Sequence, residues 1–248
     1  MVGSISNTPH HPIGATMLSA TLQKQHDLSV LVCVPSDGMW HEPFGKSLCV
    51  MLIYCAQRRI GFYKTQQVSL FSAVGSILSN KRISALKAAK EQEVDYLLWT
   101  DSDQSFPKET LHNLIMAGKD VIGANIATKM LPTLPTARRK PQPGESAIGT
   151  LVWTPEKPEH RYEKVWRLGC GLTLMSKKAI AALPLNCFEV RYKPEVEFYQ
   201  GEDWQMCEAL EAAGIEIWID HELSNRVGHH GTFNFTHEYN GLVKEEAA

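Results

Sequence analysis

Two aspartates directly after an apolar run are the residues of this chain whose types and spacing point most clearly to chemistry. The run DYLLWT (95–100) is almost continuously apolar, as in a strand buried on both faces, and Asp101 and Asp103 follow it with one serine between them. Carboxylates at the end of such a strand offer the hard oxygen ligands that Mg²⁺ and Mn²⁺ prefer. The alternative interpretation is a polar turn in which an aspartate caps the next helix.

A second pair of acidic residues, Glu202 and Asp203, opens a predicted helix directly after a glycine. Three apolar residues share the helical face of Asp203: Met206, Cys207 and Leu210. We therefore expect Asp203 to point inward and Glu202 to point elsewhere. Partial burial would raise the pKa of Asp203 and suit it to act as a general base. The alternative is a favourable charge at a helix N-terminus.

The adjacent histidines His229 and His230, flanked by glycines in the segment RVGHHGTF (226–233), are a third candidate. A neutral imidazole is a ligand for Mn²⁺, Fe²⁺ or Zn²⁺, and glycine lets the backbone approach a ligand closely. Histidine pairs also occur on surfaces and in cores without any metal. Spacing alone does not decide whether these histidines meet the aspartates, or which of the two would bind.

The elements that would position these residues alternate between strands and helices. Strands are predicted over 28–35, 61–70, 95–100 and 119–127, and helices over 44–59, from Ser79 or Asn80 through Ala89, and from Pro107 to Gly118. This order is typical of a layered α/β sheet, mostly parallel, with ligand sites at the carboxyl ends of its strands. Residues 130–160, rich in Pro, Arg, Lys and Glu, are expected to form a long excursion with short strands. Its run Arg138–Lys140 is expected to be a solvated charge cluster, and the alternative is a site for phosphate or an anionic acceptor.

The composition excludes several classes of protein. The chain carries 25 Lys and Arg against 27 Asp and Glu, a formal net charge of −2, with 44% hydrophobic residues. This balance argues against nucleic acid as the main partner and against a wholly disordered chain. The longest apolar stretch, 48–56, is too short to span a membrane, and the first residues lack the pattern of a signal peptide, so we expect a cytoplasmic location.

We expect one folded domain over 28–233, preceded by a flexible arm over 1–27 and followed by a polar tail over 234–248. The six cysteines lie far apart and mostly among apolar neighbours, which favours reduced core thiols over disulfides or a zinc site. They are Cys33, Cys49, Cys55, Cys170, Cys187 and Cys207.

Taken together, the motifs resemble those of a known enzyme family. DSD after an apolar strand, GxGxxLM (169–175), GED at the start of a helix and HxG (229–231) resemble, in order and rough spacing, the GT-A-fold glycosyltransferases, close to family 2 and its phage-encoded relatives, over about residues 28–233. The resemblance implies a single-domain, Rossmann-like sheet with helices on both faces and an inserted acceptor-side loop. It also implies a metal-dependent, hexosyltransferase-like enzyme that moves a sugar from a nucleotide-sugar donor, such as a UDP- or GDP-sugar, to a hydroxyl of a glycan or other acceptor, with inversion.

Carried over to this sequence, the resemblance implies roles for the acidic motifs and the histidine. Asp103 would bind Mn²⁺ or Mg²⁺, Asp101 would help to hold the ribose or the metal, and His229 would be the remaining protein ligand. Asp203 would be the base that deprotonates the acceptor hydroxyl, and Glu202 would shape its surroundings.

Further residues would contact the donor or the acceptor. By the same resemblance, Pro35 and Asp37 would lie at the nucleoside-binding edge, Arg82 matches a basic position on the helix before the DSD strand, and Lys129 would reach donor or acceptor. Trp204, next to the expected base, is our candidate for an aromatic acceptor platform.

Three other interpretations remain open at this point. A sugar nucleotidyltransferase normally carries a Gly-rich loop after the first strand, where this chain has VPSDGMW, and the missing loop argues against it. A non-catalytic nucleotide-sugar or glycan-binding module, for instance in a phage particle, would be indifferent to the loss of Asp203. A metal-dependent hydrolase would release sugar without any acceptor.

Overall fold

A computed structural model of the chain describes residues 28–57, 68–194, 197–231 and 234–239. The predicted N-terminal arm over 1–27 and the end of the predicted tail, 240–248, lie outside the described residues. Within them, no helix combines the length and the apolar composition that crossing a membrane requires.

The core of the fold is one seven-stranded sheet. Its strands are β1 (Val30–Ser36), β2 (Val68–Val74), β3 (Tyr96–Thr100), β5 (Val121–Gly123), β8 (Tyr162–Val165), β9 (Leu172–Ser176) and β12 (Ile217–Asp220). Across the sheet they follow the order β2-β1-β3-β9-β5-β12-β8. The pairing directions make β8 and β9 antiparallel to the other strands. The sheet is therefore mostly parallel, as predicted.

Helices cover both faces of this sheet. They are α1 (Glu42–Gln57), α2 (Leu78–Glu91), α3 (Thr110–Met116), α4 (Lys177–Ala182), α5 (Glu202–Ala212) and α6 (His221–Ser224), with a 3₁₀ turn at Leu185–Phe188. Helices α2, α4 and α5 bury their apolar residues in one core, and α1, α3 and α6 bury theirs in the other. The predicted fold class, a layered and mostly parallel α/β sheet with helices on both faces, is confirmed.

The pattern of β1 explains this two-sided burial. All seven of its residues are buried, and successive side chains of a strand point to opposite faces. Leu31 and Cys33 accordingly lie in the core beneath α2, whereas Val30, Val32 and Val34 lie in the core beneath α1. A continuous apolar run is therefore the expected sequence of this central strand.

Short strands surround the main sheet. They form three small sheets: β6 (Arg138–Arg139) with β7 (Thr150–Leu151), β10 (Arg191–Lys193) with β11 (Phe198–Gln200), and β4 (Gln104–Ser105) with β13 (Gly228–His230) and β14 (Asn234–Phe235). The predicted excursion over 130–160 thus carries β6 and β7. The start of the predicted tail also belongs to the fold, because β14 pairs with β13.

Several predicted boundaries differ from the structure. The second strand, predicted over 61–70, is β2 at Val68–Val74, where it pairs with the whole of β1, and residues 58–67 lie outside the described residues. The strand predicted over 119–127 is only Val121–Gly123, because pairing with β9 ends there. The capping role predicted for Ser79 or Asn80 is wrong, since α2 already begins at Leu78 without a side-chain cap.

Glycines follow two of the helices, at Gly118 as predicted and at Gly214, and one cysteine differs from its prediction. Gly118 and Gly214 follow α3 and α5 with φ of 63° and 69°, in the left-handed region that glycine adopts at little cost. All six cysteines are free thiols and five are buried, but Cys49 is exposed, because it lies on the outer face of α1.

Candidate functional site

The candidate site lies where β3 ends, next to the loop that leads into β9. The Asp101 backbone N–H donates to the Gly171 carbonyl at 2.9 Å. A Cβ on Gly171 would lie 2.7 Å from Ile126 Cδ1 and 3.2 Å from Asp101 Oδ2. The second glycine of the GxGxxLM motif therefore makes room for the first aspartate of DSD.

Arg82 connects the two acidic motifs. Its Nη2 donates to Asp101 Oδ1 at 3.2 Å and its Nε donates to Glu202 Oε1 at 3.3 Å, although these residues are 19 and 120 positions away in the sequence. The Arg82 side chain is only 3% exposed, and its guanidinium carbon lies 5.5 Å from the centroid of the Trp99 ring. Arg82, predicted to bind the donor, is therefore buried beneath the site, where it pairs with both Asp101 and Glu202.

Asp103 carries a different set of partners. Its carboxylate accepts a hydrogen bond from Lys129 Nζ, and His229 Nε2 lies 3.5 Å from Asp103 Oδ1. Burial alone raises the pKa of Asp103, but its hydrogen bonds and electrostatic interactions with His229 and Lys129 outweigh that effect and lower the pKa to about 2. Asp103 is therefore a carboxylate with a fixed negative charge.

The two histidines play different parts in this arrangement. His229 Nδ1 lies 2.8 Å from the Ala127 carbonyl, which fixes the ring while Nε2 faces Asp103. His230 Nε2 lies 2.7 Å from Ser105 Oγ, and its backbone N–H donates to the Asp103 carbonyl. The structure thus brings the side chain of His229, rather than that of His230, to the carboxylate.

The predicted metal ligands form a partial set. Asp103 and His229 are adjacent, whereas Asp101 is paired with Arg82, and no group of three or more His, Cys, Asp or Glu side chains that could hold a metal occurs within the described residues. Mg²⁺ is commonly bound by one or two carboxylates together with substrate phosphates. Asp103 and His229 could together supply two ligands to a divalent cation, and the phosphates of a bound substrate would supply further ones.

A cavity of about 280 Å³ opens beside Asp103, and we name it the donor cavity. Its lining includes Pro35, Asp37 and Lys129, which the sequence analysis singled out. Lys81 was missed: it lines the same cavity, and its Nζ donates to the Ser36 carbonyl at 2.7 Å. The sequence signal that could have indicated Lys81 is its position next to Arg82 on α2. Two ammonium groups therefore face one small polar cavity at the carboxyl ends of β1 and β3.

Asp203 lies at the start of α5, beside the second acidic residue. Burial raises its pKa to about 6, and the negative charge of Glu202 adds to that shift, while Arg82 and the Trp204 N–H oppose it. As predicted, Asp203 shares a face with the buried residues Met206, Cys207 and Leu210. The expectation that Glu202 points elsewhere is wrong, because its carboxylate is drawn inward by the buried Arg82.

A larger cavity, of about 790 Å³, is lined by Asp203, and we name it the acceptor cavity. Both cavity names follow the ligands expected from the sequence resemblance. Asp203, Trp204, Phe198, Ile148 and Arg138 are among its lining residues. The prediction that Arg138–Lys140 is a solvated run holds for Arg139 and Lys140, which pair with Glu163 and Glu211 at the surface. Arg138 differs, because its guanidinium lies 5.4 Å from the centroid of the Trp204 ring.

Comparisons with known proteins inform the fold. No protein-family profile matches the chain, and no curated protein matches its sequence. Among solved structures, A197 from STIV matches with a TM-score of 0.50 and 16% identity over 82% of this chain and 86% of that chain.

Two further solved structures match less well. A glycosyltransferase involved in the glycosylation of the major capsid of PBCV-1 has a TM-score of 0.31 and 11% identity, covering 62% of each chain. A 4-diphosphocytidyl-2C-methyl-D-erythritol synthase has a TM-score of 0.35 and 15% identity over 77% of this chain and 88% of that chain. Neither superposition is close enough to support an argument, so the conclusion rests on A197: the two chains share a fold.

Proposed function

We propose that this protein is a glycosyltransferase that moves a sugar from a nucleotide-sugar donor to the hydroxyl of an acceptor. The observation that carries the proposal is the pairing of Arg82 with both Asp101 and Glu202. It places the DSD strand end and the GED helix start, far apart in sequence, around one buried cation. Asp103, two residues after Asp101, lines the donor cavity, and Asp203, next to Glu202, lines the acceptor cavity.

The donor cavity supplies the groups that a nucleoside diphosphate needs. Lys81 would offer its ammonium group to phosphate oxygens, Lys129 would do so once a cation takes its place at Asp103, and Pro35 and Asp37 form the edge against which a nucleoside would lie. Asp103 and His229 would hold Mn²⁺ or Mg²⁺, with the donor phosphates as the remaining ligands. Such a cation stabilises the negative charge of a departing nucleoside diphosphate.

Asp203 is the group best suited to take the acceptor proton. A general base works best when its pKa is close to the working pH, and a carboxylate with a pKa of about 6 is a better base than an ordinary aspartate. Asp203 would accept the hydroxyl proton as that oxygen forms its bond to the anomeric carbon and the bond to the nucleoside diphosphate breaks. Attack from the side opposite to the leaving group inverts the anomeric centre.

The first test is nucleotide binding, which requires no knowledge of the acceptor. We expect one of UDP, GDP, CDP, ADP or dTDP to stabilise the protein against heating, more strongly with Mn²⁺ than without it. A ligand at 100 times its dissociation constant contributes about 2.7 kcal/mol. The Asp103→Asn variant should lose the effect of Mn²⁺, and the surface variant Glu216→Gln should keep it. Failure of every nucleotide to stabilise the folded protein would refute the proposal.

A further inference from the structure

The acceptor cavity continues beyond the space beside Asp203. A second cavity of about 190 Å³ shares four lining residues with it: Ala147, Ile148, Phe198 and Trp204. The second cavity extends along α5 to Trp166, Arg167, Lys193 and Glu208. We call the two cavities together the acceptor groove. It is longer than a site for one reacting hydroxyl requires.

Aromatic rings follow the groove along its length. Trp204 lies in the first turn of α5 and Phe198, which is 53% exposed, lies on β11. Trp166 lies at the far end, with the Arg167 guanidinium 3.7 Å from its ring centroid. Rings of this kind present large, rigid, apolar faces to a ligand.

Polar side chains at the far end are arranged so that their charges largely cancel. Lys193 Nζ donates to Glu208 Oε2 at 3.1 Å, and Gln200 Nε2 donates to Glu208 Oε1 at 2.8 Å. Arg167 is only 3% exposed and pairs with two glutamates at 3.5 Å, and its buried Nε has no hydrogen-bond partner among the described residues.

The lining favours one class of ligand over others. A lipid chain requires a continuous apolar wall, which Arg138, Lys193 and Glu208 interrupt. At the far end a strongly anionic ligand would meet cations that are already paired, since Lys193 and Arg167 both pair with glutamates. Sugar rings combine apolar C–H faces with a rim of hydroxyl groups and thus match aromatic faces beside paired polar groups.

We infer that the acceptor is an oligosaccharide of at least two sugar units. Its reacting sugar lies beside Asp203, and its next sugar lies in the second cavity, against Phe198 and Lys193. This inference rests on the proposed function, because it assigns the acceptor of the same site.

Saccharide binding tests the inference without any need for turnover. Calorimetry and tryptophan fluorescence would be used to titrate the full-length protein with hexoses, N-acetylhexosamines and their α- and β-linked di- and trisaccharides. We expect at least one disaccharide to bind about tenfold more tightly than its monosaccharide. Phe198→Ala and Lys193→Ala should each reduce that preference by about tenfold. The matched control is Tyr199→Ala, which changes a 67% exposed ring on the same strand that lines neither cavity.

The outcomes separate this inference from the proposed function. Nucleotide binding without any preference for longer saccharides overturns the oligosaccharide acceptor and leaves the transferase proposal standing. Release of nucleoside diphosphate that is stimulated by a serine-containing peptide or a polyprenyl phosphate, but by no saccharide, also overturns it. Saccharide binding without nucleotide binding would support the acceptor groove as a saccharide-binding site and would refute the proposed glycosyltransferase activity.

Discussion

Asp103 and Asp203 lie on the two sides of the site and differ in almost every respect except residue type. Asp103 contacts Lys129 and His229, which lower its pKa to about 2, whereas burial and Glu202 raise the pKa of Asp203 to about 6. The first is a permanent anion, suited to holding a cation. The second exchanges its proton near neutral pH, as a general base must. Environment, rather than residue type, divides the site into a donor side and an acceptor side.

Arg82 lies between the two sides and keeps them together. It donates to Asp101 on the donor side and to Glu202 on the acceptor side, next to Asp203. A buried cation shared by two acids makes the position of one depend on the other. Substitutions at Asp203, at Lys129 beside Asp103, and at Arg82 therefore probe the two sides and the link between them separately.

The largest expected effect follows from replacing the base. Asp203→Asn removes the group that accepts the proton, and general bases contribute roughly 10²- to 10⁴-fold to rate. We expect acceptor-dependent release of nucleoside diphosphate to fall by about 10³-fold while nucleotide binding is unchanged. Release of nucleoside diphosphate and nucleotide binding are measured on one preparation of each protein, and the surface variant Glu216→Gln is the control. Turnover within threefold of the unaltered protein would remove Asp203 from the mechanism.

The next largest effect is on stability and concerns the link. Arg82→Met leaves Asp101 and Glu202 without their shared buried cation, and removal of one partner of a buried ion pair costs about 3–5 kcal/mol. We expect a loss of that size in the free energy of unfolding, measured with urea, and a smaller loss for Arg82→Lys. The exposed ion pair between Lys164 and Glu216 offers the comparison. There Lys164→Met should lower the free energy of unfolding by less than about 1 kcal/mol. Equal losses at the two positions would show that Arg82 is not a structural link.

A smaller effect concerns the pH dependence of stability. The pKa of Asp203 is raised from 3.8 in an ordinary aspartate to about 6 in the folded chain, so the folded state binds more protons between these values. Stability from this group is present below pH 4 and is lost as the pH rises through 6. Asp203→Asn should therefore be more stable than the unaltered protein at pH 7, by on the order of 1 to 2 kcal/mol, and equal to it near pH 4. Urea unfolding at both pH values measures the difference, and a lower stability at pH 7 would contradict it.

The smallest effect has the opposite sign and belongs to the donor side. The pKa of Asp103 is lowered to about 2, so its contribution is present above pH 4 and is lost as the pH falls toward 2. Lys129→Met removes one cause of that shift. Because Lys129 is 35% exposed, we expect a loss of only about 0.5–1 kcal/mol at neutral pH that disappears in acid. A loss that does not vary with pH would mean that the Lys129 side chain acts through packing instead.

The sequence predicted the parts of the site that depend on local pattern. The apolar run before Asp101 forms β3, and α5 begins at Glu202, directly after a glycine. The continuous apolar runs of the strands and the helical spacing along α5 can be recognised without any knowledge of distant residues. These features were sufficient to predict the sheet, the helices on both faces and the location of the acids.

Other features depend on contacts between distant residues, and these were missed. Glu202 points inward only because Arg82, 120 positions earlier, lies buried beneath it. Arg138 lines a cavity because the excursion packs over α5, although its neighbours in the same charge run remain at the surface. No local spacing distinguishes one arginine of a run from the next. The positions of Glu202 and Arg138 followed only from the three-dimensional structure.

The pH dependence of sugar transfer tests the central claim most directly. Release of nucleoside diphosphate from the nucleotide sugar selected by binding would be followed from pH 4.5 to 8, with and without saccharide acceptors, in the unaltered protein and in Asp203→Asn. The account predicts that acceptor-dependent release rises with pH through about 6 and is lost in the variant, while both proteins bind the nucleotide equally. Equal, pH-independent release by both proteins would contradict it.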